Sequence, residues 1–167
     1  MPTRRQFAIG AAAIAASALG VALIKRRLGA SATAAAGETF EVNHTKAEWQ
    51  KLLTPEQFAV LREEDTERPF TSPLDHEKRD GIFACAGCDL PLYESKTKFD
   101  SGTGWPSFYA PIDNAVRLND DWSFGMQRSE VHCRRCGGHL GHVFDDGPKP
   151  TGKRYCMNGL ALKFIPA

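Results

Sequence analysis

The first 36 residues contain no aspartate or glutamate, although they hold five of the chain's 21 lysines and arginines. The other 131 of the 167 residues therefore carry 16 basic and 20 acidic side chains, a formal charge of −4. A mildly acidic domain without a basic stripe is poorly suited to the phosphate backbone of nucleic acids. Nucleic acid is therefore not expected as a partner.

Long apolar runs are also lacking. The stretch Ala8–Ile24 has 17 uncharged residues, dominated by alanine, which is at the short limit for crossing a bilayer. Arg4 and Arg5 precede it, and the small residues 34–36 follow it. This pattern resembles a twin-arginine export signal and predicts a signal peptide over residues 1–36. The expected location is the periplasm, and an uncleaved membrane anchor is the alternative.

The chain has five cysteines, and four of them form two C-x-x-C pairs separated by 44 residues. Each pair suits a tight turn that directs both sulfurs at one metal ion, so the two pairs predict a structural zinc site. Disulfide formation after export is the alternative. The predicted ligands are Cys85, Cys88, Cys133 and Cys136.

The fifth cysteine, Cys156, has no obvious partner and is therefore a candidate reactive thiol. On an extended strand it would share a face with Arg154 and Asn158, because residues two apart point the same way. A nearby guanidinium favours the thiolate, which is the nucleophilic form. The alternative is a buried, unreactive Cys156, which is the usual fate of a free cysteine.

Two histidines and one tryptophan are further candidates. His139 and His142 would not share a face of a regular strand, but a bend near Gly141 could bring them together. Histidine exchanges protons near neutral pH, so the pair suits acid–base chemistry, with zinc ligation by His139 as the alternative. Trp105 lies in a glycine-hinged aromatic segment and could form either a wall of an apolar pocket or part of the core.

The distribution of caps and turns predicts a mainly β fold. Thr45 and Thr54 each begin a short helix with a capping pattern. After Gly81 the chain turns to short strands separated by turn residues such as 119–121 and 145–148, which favours a small antiparallel barrel or sandwich behind two or three N-terminal helices. The predicted strands are Gly81–Ala84, Val116–Leu118, Trp122–Met126, Glu130–Cys133, His139–Phe144, Arg154–Met157 and Ala161–Ile165.

Several ordered motifs together resemble the type B methionine sulfoxide reductases. The resemblance runs from about Lys46 to Ile165, so residues 37–167 are expected to form a single domain of that family. It implies a small mixed β fold with peripheral helices. The motifs that carry it are residues 54–57, 66–70, 99–108, 139–144, 146–148 and 154–158.

The resemblance implies reduction of the R epimer of methionine sulfoxide, in oxidised proteins and peptides. Cys156 matches the nucleophile, which becomes a sulfenic acid, a reversible oxidation state of cysteine. His139 and His142 match the histidines that bind and protonate the sulfoxide oxygen, and Arg154 matches an arginine that supports the thiolate. The remaining matches are Trp105 against the substrate methyl group, Asn158 in substrate orientation, and the four paired cysteines in a structural zinc site.

One position departs from many family members. Thr103 stands where they carry a resolving cysteine, and threonine cannot form a disulfide with Cys156. An external thiol is therefore the expected reductant, either a thioredoxin-like protein or a small molecule. Resolution by a zinc-site cysteine is the alternative, and a monomer is the expected state.

Two other functions compete with the reductase. An exported zinc-ribbon-like binding module would hold metal without turnover. A thiol–disulfide oxidoreductase would use a C-x-x-C pair as its redox centre, but neither pair lies in the βαβ setting typical of that chemistry.

Overall fold

The computed structural model describes residues 39–121 and 128–167. The predicted export signal and the predicted strand Trp122–Met126 lie outside these residues. No helix within the described ranges is long and apolar enough to cross a membrane.

Two short helices precede the sheets, and both begin where their capping residues predict. Helix α1 covers Lys46–Leu52 and helix α2 covers Pro55–Glu63. Each has a reciprocal capping box, in which a threonine side chain and a Glu or Gln side chain satisfy one another's backbone amides. Glu64 caps the C-terminal end of α2 and has a left-handed backbone (φ 58°), which ends the helix.

The rest of the described chain is built from nine short strands joined by turns and single-turn 3-10 helices. The strands are β1 Gly81–Cys85, β2 Pro91–Glu94, β3 Lys98–Phe99, β4 Ser107–Phe108, β5 Val116–Asp121, β6 Arg128–Cys133, β7 His139–Phe144, β8 Arg154–Met157 and β9 Leu162–Pro166. One of these 3-10 helices, Gly159–Ala161, joins β8 to β9.

These strands form two antiparallel sheets. The smaller has the order β2-β1-β9, and the larger has the order β3-β4-β8-β7-β6-β5. Strand β8 thus lies inside the larger sheet, between β4 and β7. The predicted class, mainly β with antiparallel sheets and N-terminal helices, is confirmed.

The sequence predicted β7 and β8 at their observed bounds, whereas other strands differ. Strands β2, β3 and β4 were not predicted, because segments of two to four residues are too short to show an alternating pattern. The interpretation of Asn119–Asp121 as a turn is wrong. These polar residues continue β5, because Asn119 pairs with Glu130 and Asp121 with Arg128 across the strands.

An aromatic core fixes the position of β8. The buried rings of Tyr93 and Phe108 stack with centroids 4.3 Å apart, and the Tyr93 hydroxyl donates to the sulfur of Met157 at 3.0 Å. Met157 is fully buried on this side of β8. Because side chains alternate along a strand, the preceding residue, Cys156, points to the opposite face.

Candidate active site

Cys156 opens onto a small cavity beside the larger sheet. Its strand neighbours are Ser107 on β4 and His142 on β7. The cavity has a volume of about 160 Å³, and aromatic side chains supply much of its apolar wall. Its lining consists of Thr66, Trp105, Arg128, Gly141, His142, Phe144, Cys156 and Asn158. Cys156 is thus partly accessible from a shaped cavity.

Opposing effects act on the Cys156 thiol. Burial raises its pKa above the ordinary value of 9.0, while Thr103, the Arg154 charge and Ser107 act to lower it. Arg154 therefore acts in the predicted direction without overcoming burial. Its guanidinium is shared with Asp146, to which it donates two hydrogen bonds of 2.8 Å, and it lies 4.4 Å from the ring centre of Phe144.

A chain of hydroxyl groups adjoins the thiol on its other side. The Thr103 Oγ1 atom lies 3.8 Å from the Cys156 sulfur and 2.8 Å from the Ser101 hydroxyl. Ser101 continues the chain to the Ser107 hydroxyl at 2.7 Å, which also donates to the carbonyl of Trp105. Sequence reasoning identified Thr103 only by its family position and missed Ser101 and Ser107 as neighbours of the site.

The two histidines come together as predicted, at an irregularity in the pairing of β6 with β7, where Val131 pairs with Gly141 and His132 with His139. Their ring centres are 5.5 Å apart, and Gly141 has a φ of 152°. A Cβ at Gly141 would lie 2.1 Å from the carbonyl oxygen of Cys156, so only glycine allows β7 and β8 to approach this closely. His142 lines the Cys156 cavity, whereas His139 lines an adjoining cavity of about 510 Å³.

Each histidine is held by a carboxylate. His139 Nδ1 lies 2.8 Å from Glu130 Oε1, and His142 Nε2 lies 2.9 Å from Asp121 Oδ2. Burial lowers the pKa of His142, and the hydrogen bond to Asp121 opposes that shift. The bond to His139 lowers the pKa of Glu130. Both carboxylates were missed in the sequence, and the pairing of β5, β6 and β7 is the signal that would have revealed them.

Trp105 and Asn158 both line the cavity, and both form hydrogen bonds with the main chain of Glu67. Trp105 Nε1 donates to the carbonyl of Glu67 at 3.1 Å. Asn158 Oδ1 accepts from the backbone amide of Glu67 at 3.1 Å, and its Nδ2 donates to the Leu140 carbonyl at 3.3 Å. The Asn158 side chain is buried, and these two hydrogen bonds fix the orientation of its amide.

The four paired cysteines form a separate cluster. Their sulfurs all lie within 4.8 Å of one another, with Cys85 and Cys136 3.7 Å apart and Cys88 and Cys133 3.5 Å apart. Four thiolates about 2.3 Å from a tetrahedral ion would be separated by roughly 3.8 Å, so this donor set fits a metal such as zinc. The separations are far longer than a disulfide bond of about 2.05 Å.

The surroundings of this cluster were not predicted. Arg62 on α2 donates to the Cys136 carbonyl at 3.0 and 3.1 Å and approaches the Cys136 sulfur at 3.4 Å. Its guanidinium also stacks on Trp49 at 4.3 Å. A cation here offsets the negative charge of clustered thiolates. His139, the alternative ligand, is instead bonded to Glu130 through Nδ1.

Comparisons with known proteins place this arrangement in a family. The SelR domain matches residues 53–166. The chain belongs to the SelR domain family. A peptide methionine sulfoxide reductase MsrB from Methanosarcina barkeri (strain Fusaro) is 56% identical over 124 residues, which are 74% of this chain and 87% of the relative. MsrB from Pseudomonas putida (strain W619) is 54% identical over 127 residues, 75% of this chain and 96% of the relative.

A third relative has similar identity and coverage. MsrB from Agrobacterium fabrum is 53% identical over 127 residues, again 75% of this chain and 94% of the relative. The matched share takes in almost the whole length of these proteins. The resemblance drawn from the separate sequence motifs is therefore confirmed at the level of the MsrB family.

Proposed function

We propose that this chain reduces the R epimer of methionine sulfoxide in oxidised proteins and peptides. The observation that carries the proposal is the partly buried Cys156 in a cavity walled by Trp105 and Phe144 and edged by His142. Aromatic walls suit the methyl group of the substrate, and the imidazole suits its polar oxygen. The similarity to MsrB proteins supports the same activity.

In the proposed reaction the Cys156 thiolate attacks the sulfoxide sulfur. The sulfoxide oxygen receives one proton and passes to Cys156, which becomes a sulfenic acid, while the substrate leaves as methionine. The cysteine sulfur is oxidised by two electrons and the sulfoxide sulfur is reduced by two, so the exchange balances. Arg154 favours the attacking thiolate, and Asn158 edges the space where the substrate would lie.

His142 is the proposed proton donor to the sulfoxide oxygen, because it lines the same cavity as Cys156. Asp121 bonds to its Nε2 atom and stabilises the protonated ring. His139 would support this role from the adjoining cavity. Its ring lies 5.5 Å from that of His142, and Glu130 holds it through Nδ1.

An external thiol completes the proposed cycle. Thr103, the residue beside the Cys156 sulfur, has no thiol, and the other four cysteines are gathered in their own cluster. One thiol condenses with the sulfenic acid to release water and form a mixed disulfide, and a second thiol regenerates Cys156. A thioredoxin-like protein or a small-molecule thiol would serve, and the enzyme would act as a monomer.

Zinc is the proposed occupant of the four-cysteine cluster, with a structural role. When bound, the ion would tie together the turns that follow β1 and β6, and the four thiolates would complete its tetrahedral shell. We also propose that residues 1–36 direct export to the periplasm, because Arg4 and Arg5 precede an uncharged stretch. N-terminal sequencing of the exported protein would show whether the leader is removed.

The direct test is turnover of the separate R and S epimers by the purified chain with excess dithiothreitol. Only the R epimer should be consumed, and Cys156→Ser should abolish turnover because it removes the nucleophile. Mass spectrometry of the product peptide provides the measurement. A folded chain that consumes neither epimer would favour the zinc-ribbon-like binding module instead.

The second prediction concerns pH. Because the pKa of Cys156 is raised above 9.0 and that of His142 is lowered below 6.5, kcat/KM should be greatest between these values. Between the two pKa values the gain of thiolate offsets the loss of imidazolium. Below the pKa of His142 a further fall in pH only removes thiolate, and above the pKa of Cys156 a further rise only removes imidazolium. Each limb should then fall about tenfold per pH unit.

Alkylation of Cys156 by iodoacetamide provides the matching measurement, because its rate follows the thiolate alone. Arg154→Met should shift this alkylation curve to higher pH, since it removes a charge that favours the thiolate. The assignment of the alkaline limb would fail if alkylation of the unmodified chain reached its plateau well below pH 9.

The third prediction concerns Thr103. Its hydroxyl lies 3.8 Å from the Cys156 sulfur, so Thr103→Cys should place a second thiol within reach. One turnover without added reductant should then yield a disulfide between the introduced thiol and Cys156, detected by mass spectrometry. Thr103→Ser is the matched control and should retain a sulfenic acid that dimedone can trap. Sulfenic acid in both variants would contradict the proposed geometry.

The fourth prediction concerns the metal. Elemental analysis should give one zinc per chain, and Cys85→Ser should lose the metal and melt at a lower temperature, because a structural ion contributes directly to folding. Cys156→Ser should retain full zinc content, since Cys156 lies outside the cluster. Two disulfides in the purified, metal-free chain would overturn this proposal.

A further inference from the structure

Glu67 is a buried acidic residue that none of the proposed chemical steps uses. It is 9% exposed and lies in the segment between α2 and β1. Its carboxylate accepts hydrogen bonds from two backbone amides, those of Gly159 and Leu160, with Leu160 at 3.1 Å. These amides belong to the 3-10 turn that directly follows Asn158.

The main chain of the same residue bonds to two side chains of the Cys156 cavity. Its carbonyl accepts from Trp105 Nε1 at 3.1 Å, and its amide donates to Asn158 Oδ1 at 3.1 Å. One residue thus connects the aromatic wall, the polar edge and the turn after β8. The carboxylate anchors Glu67 to that turn, and the main chain orients the two cavity side chains.

Burying the charged Glu67 carboxylate costs free energy. Burial raises the pKa of Glu67, because desolvation disfavours its charged form, and the two backbone amides only partly offset this effect. The partners that stabilise its carboxylate are neutral amides rather than a cation. An apolar side chain would fill the same space without the cost of a buried charge, but it could not bond to these amides.

We propose that Glu67 is a positioning residue for substrate recognition, acting through Trp105 and Asn158. The inference rests on the proposed reductase function and adds a specific determinant of its substrate pocket. The carboxylate holds the 66–70 segment against Gly159 and Leu160, and this contact sets the distance between the Trp105 wall and Cys156. Loss of the contact would loosen the pocket while leaving the thiol in place.

Glu67→Gln tests this proposal, because it preserves the size of the side chain but cannot accept from both amides. KM for a peptide containing methionine R-sulfoxide should rise about tenfold with little change in kcat, since binding is lost without loss of the nucleophile. The rate of Cys156 alkylation should stay unchanged. Thr97→Ala is the control for loss of a buried hydrogen bond away from the site, since the Thr97 hydroxyl donates to the Glu94 carbonyl at 2.9 Å.

Two further measurements separate positioning from general stability. In NMR spectra the indole N–H of Trp105, assigned by Trp105→Phe, should exchange faster in Glu67→Gln but not in Thr97→Ala. The double variant Glu67→Gln/Trp105→Phe should be less impaired than the product of the two single effects, because both changes disrupt one unit. Fully multiplicative effects with an unchanged indole exchange rate would overturn the proposal.

The outcomes also separate this inference from the proposed function. An unmodified chain that reduces neither epimer would refute the reductase function itself. An active chain whose KM is unaffected by Glu67→Gln would refute only the role of Glu67. If Glu67→Gln does not fold, Glu67→Asp takes its place, because it keeps the charge but shortens the side chain, and an unchanged KM in that variant would be equally decisive.

Discussion

The close contact between Gly141 and the backbone of Cys156 determines the geometry of the candidate site. A Cβ on Gly141 would clash with the Cys156 carbonyl oxygen, so β7 and β8 can approach this closely only through glycine. This pairing sets His142 directly across from Cys156. On the other face of β8, the bond from Tyr93 to Met157 fixes the strand to the core. The thiol therefore projects into its cavity from a strand that is held on both sides.

Burial and the polar neighbours of Cys156 have opposite effects on the pKa of its thiol. Burial alone disfavours the thiolate, and Thr103, Arg154 and Ser107 each recover part of the loss. A thiol that is largely protonated at rest is protected from indiscriminate oxidation, because the thiolate is the reactive form. The same cavity places His142 beside it with a lowered pKa. The cavity thus holds a thiol and an imidazole whose pKa values both differ from their ordinary values.

The sequence predicted the parts of this site that depend on local pattern. The C-x-x-C pairs, the alternation around Cys156 and the glycine at position 141 are all visible within a few residues, and the helix caps at Thr45 and Thr54 follow the same logic. Asp121 and Glu130 were missed because their role depends on strand register, which a single segment does not show. Glu67 was missed for a related reason, since its partners at 158–160 lie more than 90 residues further along the chain.

The four clustered cysteines and Cys156 lie at different places in the fold. Cys85 ends β1 of the smaller sheet, and Cys133 ends β6 of the larger sheet, so a metal held by all four cysteines would join the two sheets. In the proposed cycle those thiols are poor candidates for resolving the sulfenic acid, because using one would release the proposed metal ion. Cys156 is then the thiol left for the proposed chemistry, and the hydroxyl of Thr103 beside it can bond to an oxidised sulfur but cannot reduce it. The proposed dependence on an external reductant thus follows from where the fold places its other cysteines.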